Sequence, residues 1–338
     1  MSKSYYDVKA VSNSSLKWFD VSPLYFISKY NSELDEGTKP WLELGKAVHA
    51  AILEPKEYEA LYRHFEYDVP KSEQQRGFCA EYTKQLKATK SHKISLSKAF
   101  TKNYNIKGKS GDKILTEGEK LYEKLSSYIE YLESKERKDK MILSDKQKNV
   151  VDKALAAVKK HSLANKLLFD DENNLFNNVD THNELEVYFQ YPMLFHDHKI
   201  DCKAMLDRII IDHDKKIITL VDLKTASDIT KIKDAIKDFK YHRQLAFYSI
   251  AATQFFTKNY PDKNIAEYNL NAYIVFAQTT ELYECRVIKV DANLIFDMLP
   301  EISAYIDSIA WHFANNQWDY PRDYYSNEDY LIFNKYDT

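Results

Sequence analysis

The sequence is poor in cysteine, glycine and proline. Its three cysteines, Cys79, Cys202 and Cys285, lie far apart, and no two of them form a CxxC pair. This excludes a zinc ribbon, which needs closely spaced pairs, and a cluster held by four thiolates. So few cysteines fit a reducing cytosol. With only 6 glycines and 8 prolines, the chain is neither a low-complexity nor a collagen-like sequence.

The sequence also lacks a strong excess of positive charge and any long apolar run. Its formal net charge is −3, so the total charge does not by itself point to nucleic acid. A nuclease is not excluded, because a local basic track can hold DNA while metal-binding carboxylates lower the total. No stretch of 18 apolar residues and no apolar leader is present. We therefore expect a soluble, cytoplasmic protein with no membrane attachment.

What the sequence does contain is the composition of a globular protein and a clear change of pattern along the chain. Hydrophobic residues make up 44% and charged residues 29%, which is enough to pack a core. Helical periodicity precedes residue 183, and strand-like alternation follows it. We predict an α/β protein with an N-terminal helical region at 1–182, a core with a C-terminal helix at 183–318 and a tail at 319–338. Residues from about 80 to about 140 are interpreted as an insertion.

Two predicted strands, at 200–211 and 217–223, carry the first chemical signal. A short polar turn joins them, and if Asp212 pairs with Ile217, Asp207 lies directly opposite Asp222. Residues so paired have Cβ atoms about 4.5–5.5 Å apart. Lys224 is two positions beyond Asp222 and points to the same face. The register therefore predicts a cluster of two carboxylates and one ammonium.

Such a cluster suits the hydrolysis of phosphodiesters. Two opposed carboxylates repel each other unless a cation lies between them, and magnesium prefers carboxylate, water and phosphate oxygens. A bound metal lowers the pKa of its water, and Lys224 is placed to orient that water or to stabilise developing charge. The alternative is a solvated hairpin whose polar residues face water. We favour the functional interpretation because both strands are apolar on both faces, as in a buried sheet.

The neighbouring sequence resembles a known family. Asp207 followed by Asp222-Leu223-Lys224 resembles the PD-(D/E)xK nuclease signature, and further blocks resemble its exonuclease VIII (RecE-like) branch. These blocks are LGKAVH at 44–49, CKAMLDR at 202–208, VDLKTA at 221–226 and QLAFY at 244–248. The resemblance spans residues 10–290. It implies a PD-(D/E)xK restriction-endonuclease-like core, with a mixed central sheet flanked by helices.

The resemblance also implies which residues form the site. It places His49, Asp207, Asp222 and Leu223 at the metal, with Asp207, Asp222 and Lys224 as catalytic residues. Three more positions are expected to line the site, each with a structural alternative: Glu186, Gln244 and Tyr248. Glu186 could instead lie on a solvated strand face. Gln244 and Tyr248, four residues apart on one helix face, could simply pack. For His49, the alternative is a structural role at the edge of its helix.

The implied function is a magnesium-dependent exodeoxyribonuclease, with Mn²⁺ able to substitute. It would degrade linear double-stranded DNA from a free 5′ end in phage-type recombination, in a bacterial or phage-infected cell. A single-strand annealing protein is the implied partner, and a homo-oligomeric ring the implied assembly. The alternatives are a structure-specific or restriction-type endonuclease of the same superfamily and a catalytically silent DNA-binding protein.

A lysine-rich segment at 84–113 stands apart from these motifs. Tyr82, Phe100 and Tyr104 are interleaved with its lysines. Lysines with aromatic neighbours can contact a DNA backbone. Such a run is, however, more often a solvated surface.

Overall fold

The computed structural model describes residues 5–32, 40–64, 69–137, 141–169, 178–191 and 199–327. Its contacts divide the chain into two compact units. The sheet unit combines Met1–Glu54 with Ala154–Thr338, and the insert unit is Pro55–Lys153. The boundaries expected from the sequence, at 182 and 318, stay predictions. Residues 328–338 of the predicted tail lie outside the described residues.

The helices and strands follow one another along both units. The helices are α1 (Asn13–Val21), α2 (Pro23–Tyr30), α3 (Pro40–Leu53), α4 (Pro55–Leu61), α5 (Glu73–Thr89), α6 (His92–Asn103), α7 (Gly111–Arg137), α8 (Asp145–Lys160), α9 (Ser162–Phe169), α10 (Ile232–Asp238), α11 (Tyr241–Asn259), α12 (Ala292–Phe296), α13 (Leu299–Asn315) and α14 (Arg322–Ser326). The strands are β1 (Tyr62–His64), β2 (Met141–Leu143), β3 (Val179–Tyr191), β4 (Ile200–Asp212), β5 (Ile217–Ala226), β6 (Asn269–Gln278) and β7 (Cys285–Val290).

The sheet unit is built on a five-stranded mixed sheet with the order β3-β4-β5-β6-β7. Strands β5 and β6 run parallel, and the other neighbours are antiparallel. The connection between β5 and β6 contains α10 and α11, as a parallel crossover requires. The predicted α/β class with a mixed, helix-flanked sheet is therefore confirmed.

The hairpin of β4 and β5 has the predicted register. Asp212 pairs with Ile217, and regular pairing continues to Arg208 and Val221. Most positions of both strands are buried on both faces. This confirms the interpretation of the hairpin as the centre of a core rather than a solvated ribbon.

Local signals explain several helix ends. Ser12 caps α1 together with Ser15 in a capping box, and Ser22 caps α2, which has Pro23 in its first turn. From the sequence, the residues from about 231 to 256 are expected to form a single helix, and this prediction is wrong. Lys240 adopts a left-handed conformation, with φ 50°, and separates α10 from α11. This turn places Tyr241 at the start of α11.

The insert unit has its own core. Helices α5, α6 and α7 pack around buried residues that include Phe78, Tyr82, Leu96, Phe100 and Ile129. Strands β1 and β2 form a separate parallel pair. Among the described residues of both units, no helix is long and apolar enough to cross a membrane.

Candidate active site

The site begins where the regular pairing of β4 and β5 ends. One position beyond the pair Arg208–Val221, the Asp207 carboxylate accepts a hydrogen bond from the Leu223 N–H at 2.8 Å. Asp207 is 8% exposed and Asp222 1% exposed. The hairpin therefore holds both carboxylates in a buried setting, and a backbone donor fixes one of them.

Helix α3 brings His49 to Asp207. Nε2 of His49 lies 3.0 Å from Oδ2 of Asp207. The helix can approach β5 closely because Gly45 faces it, and a Cβ at this position would lie 3.2 Å from Oγ1 of Thr225. At the C-terminal end of α3, the side-chain amide of Asn183 donates a hydrogen bond to the Leu53 carbonyl at 2.7 Å. A small residue and a capping amide thus set the position of the histidine.

Strand β3 supplies a carboxylate that the sequence analysis did not single out. Oε1 of Glu184 lies 3.0 Å from Nδ1 of His49. Pairing between β3 and β4 is interrupted at Glu184, which has a left-handed backbone with φ 46°. Such a conformation is uncommon for a residue other than glycine and often occurs at functional sites. It brings the Glu184 side chain to the site.

Glu186, the other glutamate of this strand, is expected from the sequence to line the site; among the described residues it forms no hydrogen bond or ion pair with His49, Asp207 or Asp222, and its role there stays a prediction. Its side chain is exposed and accepts a hydrogen bond from the Tyr188 hydroxyl at 2.8 Å. Simple strand alternation puts Glu184 and Glu186 on the same face. The sequence therefore predicts the strand and the face that its two glutamates share, but not which of the two contacts His49.

The donors of His49, Glu184 and Asp207 form a candidate metal centre. Their nearest ligand atoms all lie within 4.8 Å of one another. Asp222 lies beside this group, and its Oδ2 is buried with Nζ of Lys224 as its ion-pair partner. Three carboxylates and one imidazole are suitable ligands for a hard or borderline divalent cation such as Mg²⁺ or Mn²⁺. The residues present thus fit a divalent metal.

Asp222 also connects the centre to the other predicted site residues. Nζ of Lys224 lies 2.7 Å from each Asp222 oxygen, and the side-chain amide of Gln244 donates to Oδ1 at 3.0 Å. Gln244 also donates to the Tyr248 hydroxyl at 2.8 Å. The structure therefore brings Lys224, Gln244 and Tyr248 into one hydrogen-bonded network, in which Asp222 accepts from both Lys224 and Gln244.

The two aspartates differ in their electrostatic surroundings. Burial, partly offset by Lys224 and reinforced by Asp207, raises the pKa of Asp222 to about 6. Burial acts on Asp207 too, but His49 and Lys224 outweigh it and lower the pKa of Asp207. Burial alone would lower the pKa of His49, yet Asp207 and Glu184 raise it to about 10. The positive charge of protonated His49 thus offsets the negative charge of the neighbouring carboxylates, as a bound divalent cation would.

A second lysine near the site was not found by sequence reasoning. Nζ of Lys17 lies 5.8 Å from the Tyr241 ring centroid, and Nζ of Lys224 lies 5.2 Å from the same centroid. Burial and the charge of Lys224 lower the pKa of Lys17. Within the described part of the chain, Lys17 forms no hydrogen bond and no ion pair through its ammonium group. It lies on α1 in the block SNSSLK, where no spacing pattern distinguishes it from a surface lysine.

Two buried arginines near these elements, Arg208 and Arg243, could pair with phosphate by their chemistry, but both have structural partners. Arg243 pairs with Asp20 at 2.7 Å and with Glu301 at 3.2 Å. Arg208 donates to Oδ1 of Asn183 at 2.7 Å. Since Asn183 caps α3, Arg208 supports the helix that carries His49.

Comparison with a known family of sequences agrees with this fold. The sequence profile of the PD-(D/E)XK nuclease superfamily matches residues 10–310. The chain therefore belongs to the PD-(D/E)XK nuclease superfamily, whose members are nucleases that use divalent metals. No curated protein sequence matches the chain. One similar solved structure is described as a candidate exonuclease from Eubacterium rectale. It is 14% identical, with a TM-score of 0.46, over 99% of this chain and 96% of the other.

Proposed function

We propose that this protein is a magnesium-dependent exodeoxyribonuclease that degrades linear double-stranded DNA from its 5′ end. The observation that carries the nuclease activity is the cluster of His49, Glu184 and Asp207, with ligand atoms within 4.8 Å, beside the pair of Asp222 and Lys224. The exonuclease specificity rests on the sequence blocks that resemble the exonuclease VIII branch.

His49, Glu184, Asp207 and Oδ2 of Asp222 would hold the metal, and Leu223 is a further proposed contact. When bound, the metal supplies a more acidic water and neutralises charge on the attacked phosphate. Lys224 has a different role. Burial lowers its pKa, but Asp222 and Asp207 outweigh burial and raise it to about 12. Lys224 therefore stays charged at neutral pH and stabilises negative charge on the phosphate rather than acting as a base.

Gln244 and Tyr248 act on the site through Asp222. The Gln244 amide donates to both Asp222 and Tyr248, so it fixes the orientation of the carboxylate that holds Lys224. Tyr248 keeps its proton, because burial and the neighbouring aspartates raise its pKa well above the usual value. Its hydroxyl can donate a hydrogen bond to a phosphate oxygen or a water molecule.

Digestion of end-labelled linear duplex, compared with closed circular duplex of the same sequence, tests this proposal. With magnesium, the linear DNA should lose nucleotides from its 5′ ends while the circle stays intact. Manganese should substitute, and chelation should stop the reaction. Asp207→Asn and Asp222→Asn should be inactive but folded, because each removes a charged oxygen ligand while keeping the side-chain shape.

The endonuclease alternative predicts a different result in the same assay. Cleavage of the circle at a rate similar to that of the linear duplex would replace the exonuclease with a structure-specific or restriction-type endonuclease. A protein that binds DNA but cleaves neither form with either metal would be the catalytically silent alternative. The intact Asp207, Asp222 and Lys224 argue against that outcome.

A role in phage-type recombination follows from the same resemblance. Removal of one strand from the 5′ end leaves a 3′ single strand, which an annealing protein can pair with a second DNA. The proposed partner is therefore a single-strand annealing protein, and co-purification of this chain with a phage-type annealing protein would test it.

A further inference from the structure

Positive charge is concentrated in the insert unit. The lysine-rich segment at 84–113 contains nine lysines and a single acidic residue, Asp112, although the chain as a whole has a net charge of −3. The rest of the chain therefore has an excess of acid. Because affinity for nucleic acid comes largely from phosphates that lysine and arginine neutralise, this unevenness identifies a surface suited to a polyanion.

Many of these ammonium groups are not neutralised by neighbouring acids. Lys102 pairs with Glu81, and Lys109 pairs with Glu117. By contrast, several lysines of the unit form no ion pair with any residue that the structure describes: Lys84, Lys90, Lys93, Lys107, Lys113, Lys120 and Lys124. A solvated surface that served only solubility would gain from alternating signs, whereas this one is left with net positive charge.

Part of this surface forms a groove of about 600 Å³. The start of α7 lies along it, opposite the end of α6 and the loop that follows. The groove is lined by Phe100, Tyr104, Asn105, Lys109, Lys120 and Lys124, together with one acid, Glu117, which pairs with Lys109 and leaves Lys120 and Lys124 as its unpaired charges among the described residues. Lys120 and Lys124 are exposed and four residues apart, so they lie on one face of α7. Like charges at this spacing repel each other, whereas a phosphate placed between the two ammonium groups would be attracted by both.

An aromatic pair accompanies the lysines. The rings of Phe100 and Tyr104 stack with centroids 4.9 Å apart and an interplanar angle of 16°. Phe100 is buried, while Tyr104 is half-buried and lines the groove. Nζ of Lys109 lies 5.0 Å from the Phe100 centroid. The buried Phe100 ring thus holds the Tyr104 ring in place at the groove, with lysine ammonium groups nearby.

We propose that this groove binds single-stranded DNA, with phosphates against Lys120 and Lys124 and a nucleobase against Tyr104. Lysines beside aromatic rings are typical of surfaces that hold single strands, whose bases are free to stack. In a duplex the faces of the bases are already covered, so Tyr104 would add nothing to affinity. The inference goes beyond the proposed nuclease activity and does not depend on it, because binding without a divalent cation requires no cleavage.

Fluorescence anisotropy with a labelled oligothymidylate, the full chain and excess EDTA tests the proposal. The double variant Lys120→Gln/Lys124→Gln should bind roughly tenfold more weakly near 0.1 M salt. The slope of log affinity against log salt should fall by about 1.4, since each phosphate contact on a single strand contributes about 0.7. Tyr104→Leu keeps an apolar side chain in place and should weaken binding roughly tenfold through lost stacking.

The matched control is Lys258→Gln/Lys263→Gln, which removes the same charge from exposed lysines in the sheet unit. Lys258 lies on α11, 14 residues beyond Gln244 and therefore about 21 Å along the helix from it. The control should bind the oligothymidylate like the unchanged protein. The proposal is overturned if the groove variant matches the control in affinity and salt slope, or if the protein binds duplex and not single strands. If the unchanged protein binds the oligothymidylate in EDTA but does not cleave DNA with magnesium, the nuclease proposal is contradicted and the binding proposal is not.

Discussion

At the scale of single residues, the site shows how one backbone angle selects a ligand. Glu184 and Glu186 are both acids on β3 and share a strand face by alternation. Only Glu184, with its left-handed φ of 46°, reaches His49. Asp207, Asp222 and Lys224 could be predicted because their positions follow from the register of a hairpin. Glu184 could not, since nothing in the residues around it requires a positive φ.

The two glutamates provide a matched test of the metal centre. Glu184→Gln should raise the magnesium concentration needed for half-maximal cleavage by more than about tenfold. Residues that only support metal ligands already cost 10–100-fold in affinity when changed, and Glu184 is proposed as a direct ligand. Glu186→Gln removes the same charge from the same strand and should leave this concentration nearly unchanged. Titration of cleavage with magnesium measures both, and the assignment fails if the two variants respond alike.

A second prediction at this scale concerns Lys17. Its half-buried ammonium forms no ion pair with any described residue, and it lies 5.8 Å from the centroid of the Tyr241 ring that Lys224 also approaches. A buried charge without a partner is costly, so we expect an anionic substrate group to pair with it. Lys17→Gln should lower kcat/KM for linear duplex by about tenfold or more, because hydrogen bonds to charged groups contribute about 1.5–3 kcal/mol.

Three measurements separate this role from a structural one. Lys17→Arg should retain most of the activity, and the magnesium dependence of Lys17→Gln should be normal. Lys9→Gln, an exposed lysine earlier in the same segment, is the control and should behave like the unchanged protein. A Lys17→Gln protein with normal kcat/KM would show that the ammonium does not contact DNA.

At the scale of secondary-structure elements, the sheet was easier to predict than the helices beside it. The hairpin of β4 and β5 follows from two apolar strands and a short polar turn, and its register is as expected. The break between α10 and α11 was missed because Lys240, unlike glycine, gives no signal for a left-handed conformation. The distance between α3 and β5 is likewise a tertiary property. Gly45 is visible in the sequence, but its contact with Thr225 is not.

The contact at Gly45 predicts a change in function without loss of stability. In Gly45→Ala, the new Cβ would lie 3.2 Å from Thr225 Oγ1, so α3 or Thr225 has to move by a few tenths of an ångström. Alanine favours a helix over glycine by about 1 kcal/mol, which offsets the strain. We therefore expect a nearly unchanged Tm. The magnesium concentration needed for half-maximal cleavage should rise, because His49 lies one turn further along α3 and moves with it.

A glycine in the other unit is the control. A Cβ at Gly118 on α7 would meet only Leu96, at 3.7 Å and beyond, which is an ordinary contact. Gly118→Ala should therefore raise the free energy of unfolding by up to about 1 kcal/mol and leave the metal dependence unaltered. Thr225→Ala combined with Gly45→Ala should restore metal binding, since the double change removes the clash. Thermal unfolding and magnesium titration of the four proteins check this, and equal metal dependence in all of them would contradict it.

At the scale of the whole molecule, the question is how an acidic protein stays on DNA. A net charge of −3 makes purely electrostatic retention weak, and retention through the lysine-rich segment would fall steeply with salt. A processive exonuclease of this composition therefore needs a second means of retention. Encircling the duplex supplies it through topology, with basic residues confined to an inner wall. Closed cyclic symmetry is also the common outcome for soluble homo-oligomers.

We accordingly predict a closed homo-oligomer, threefold or fourfold by resemblance to the exonuclease VIII branch, with the Asp207–Asp222–Lys224 sites facing its channel. Light scattering at micromolar concentration should give three or four times the chain mass of 39.7 kDa. A salt challenge then separates topology from charge. If digestion is started at low salt and competitor DNA is added together with high salt, an enzyme held by charge dissociates, whereas a ring continues along its strand. A monomer whose digestion stops at the challenge would rule out the ring, while the metal-dependent nuclease activity would remain as proposed.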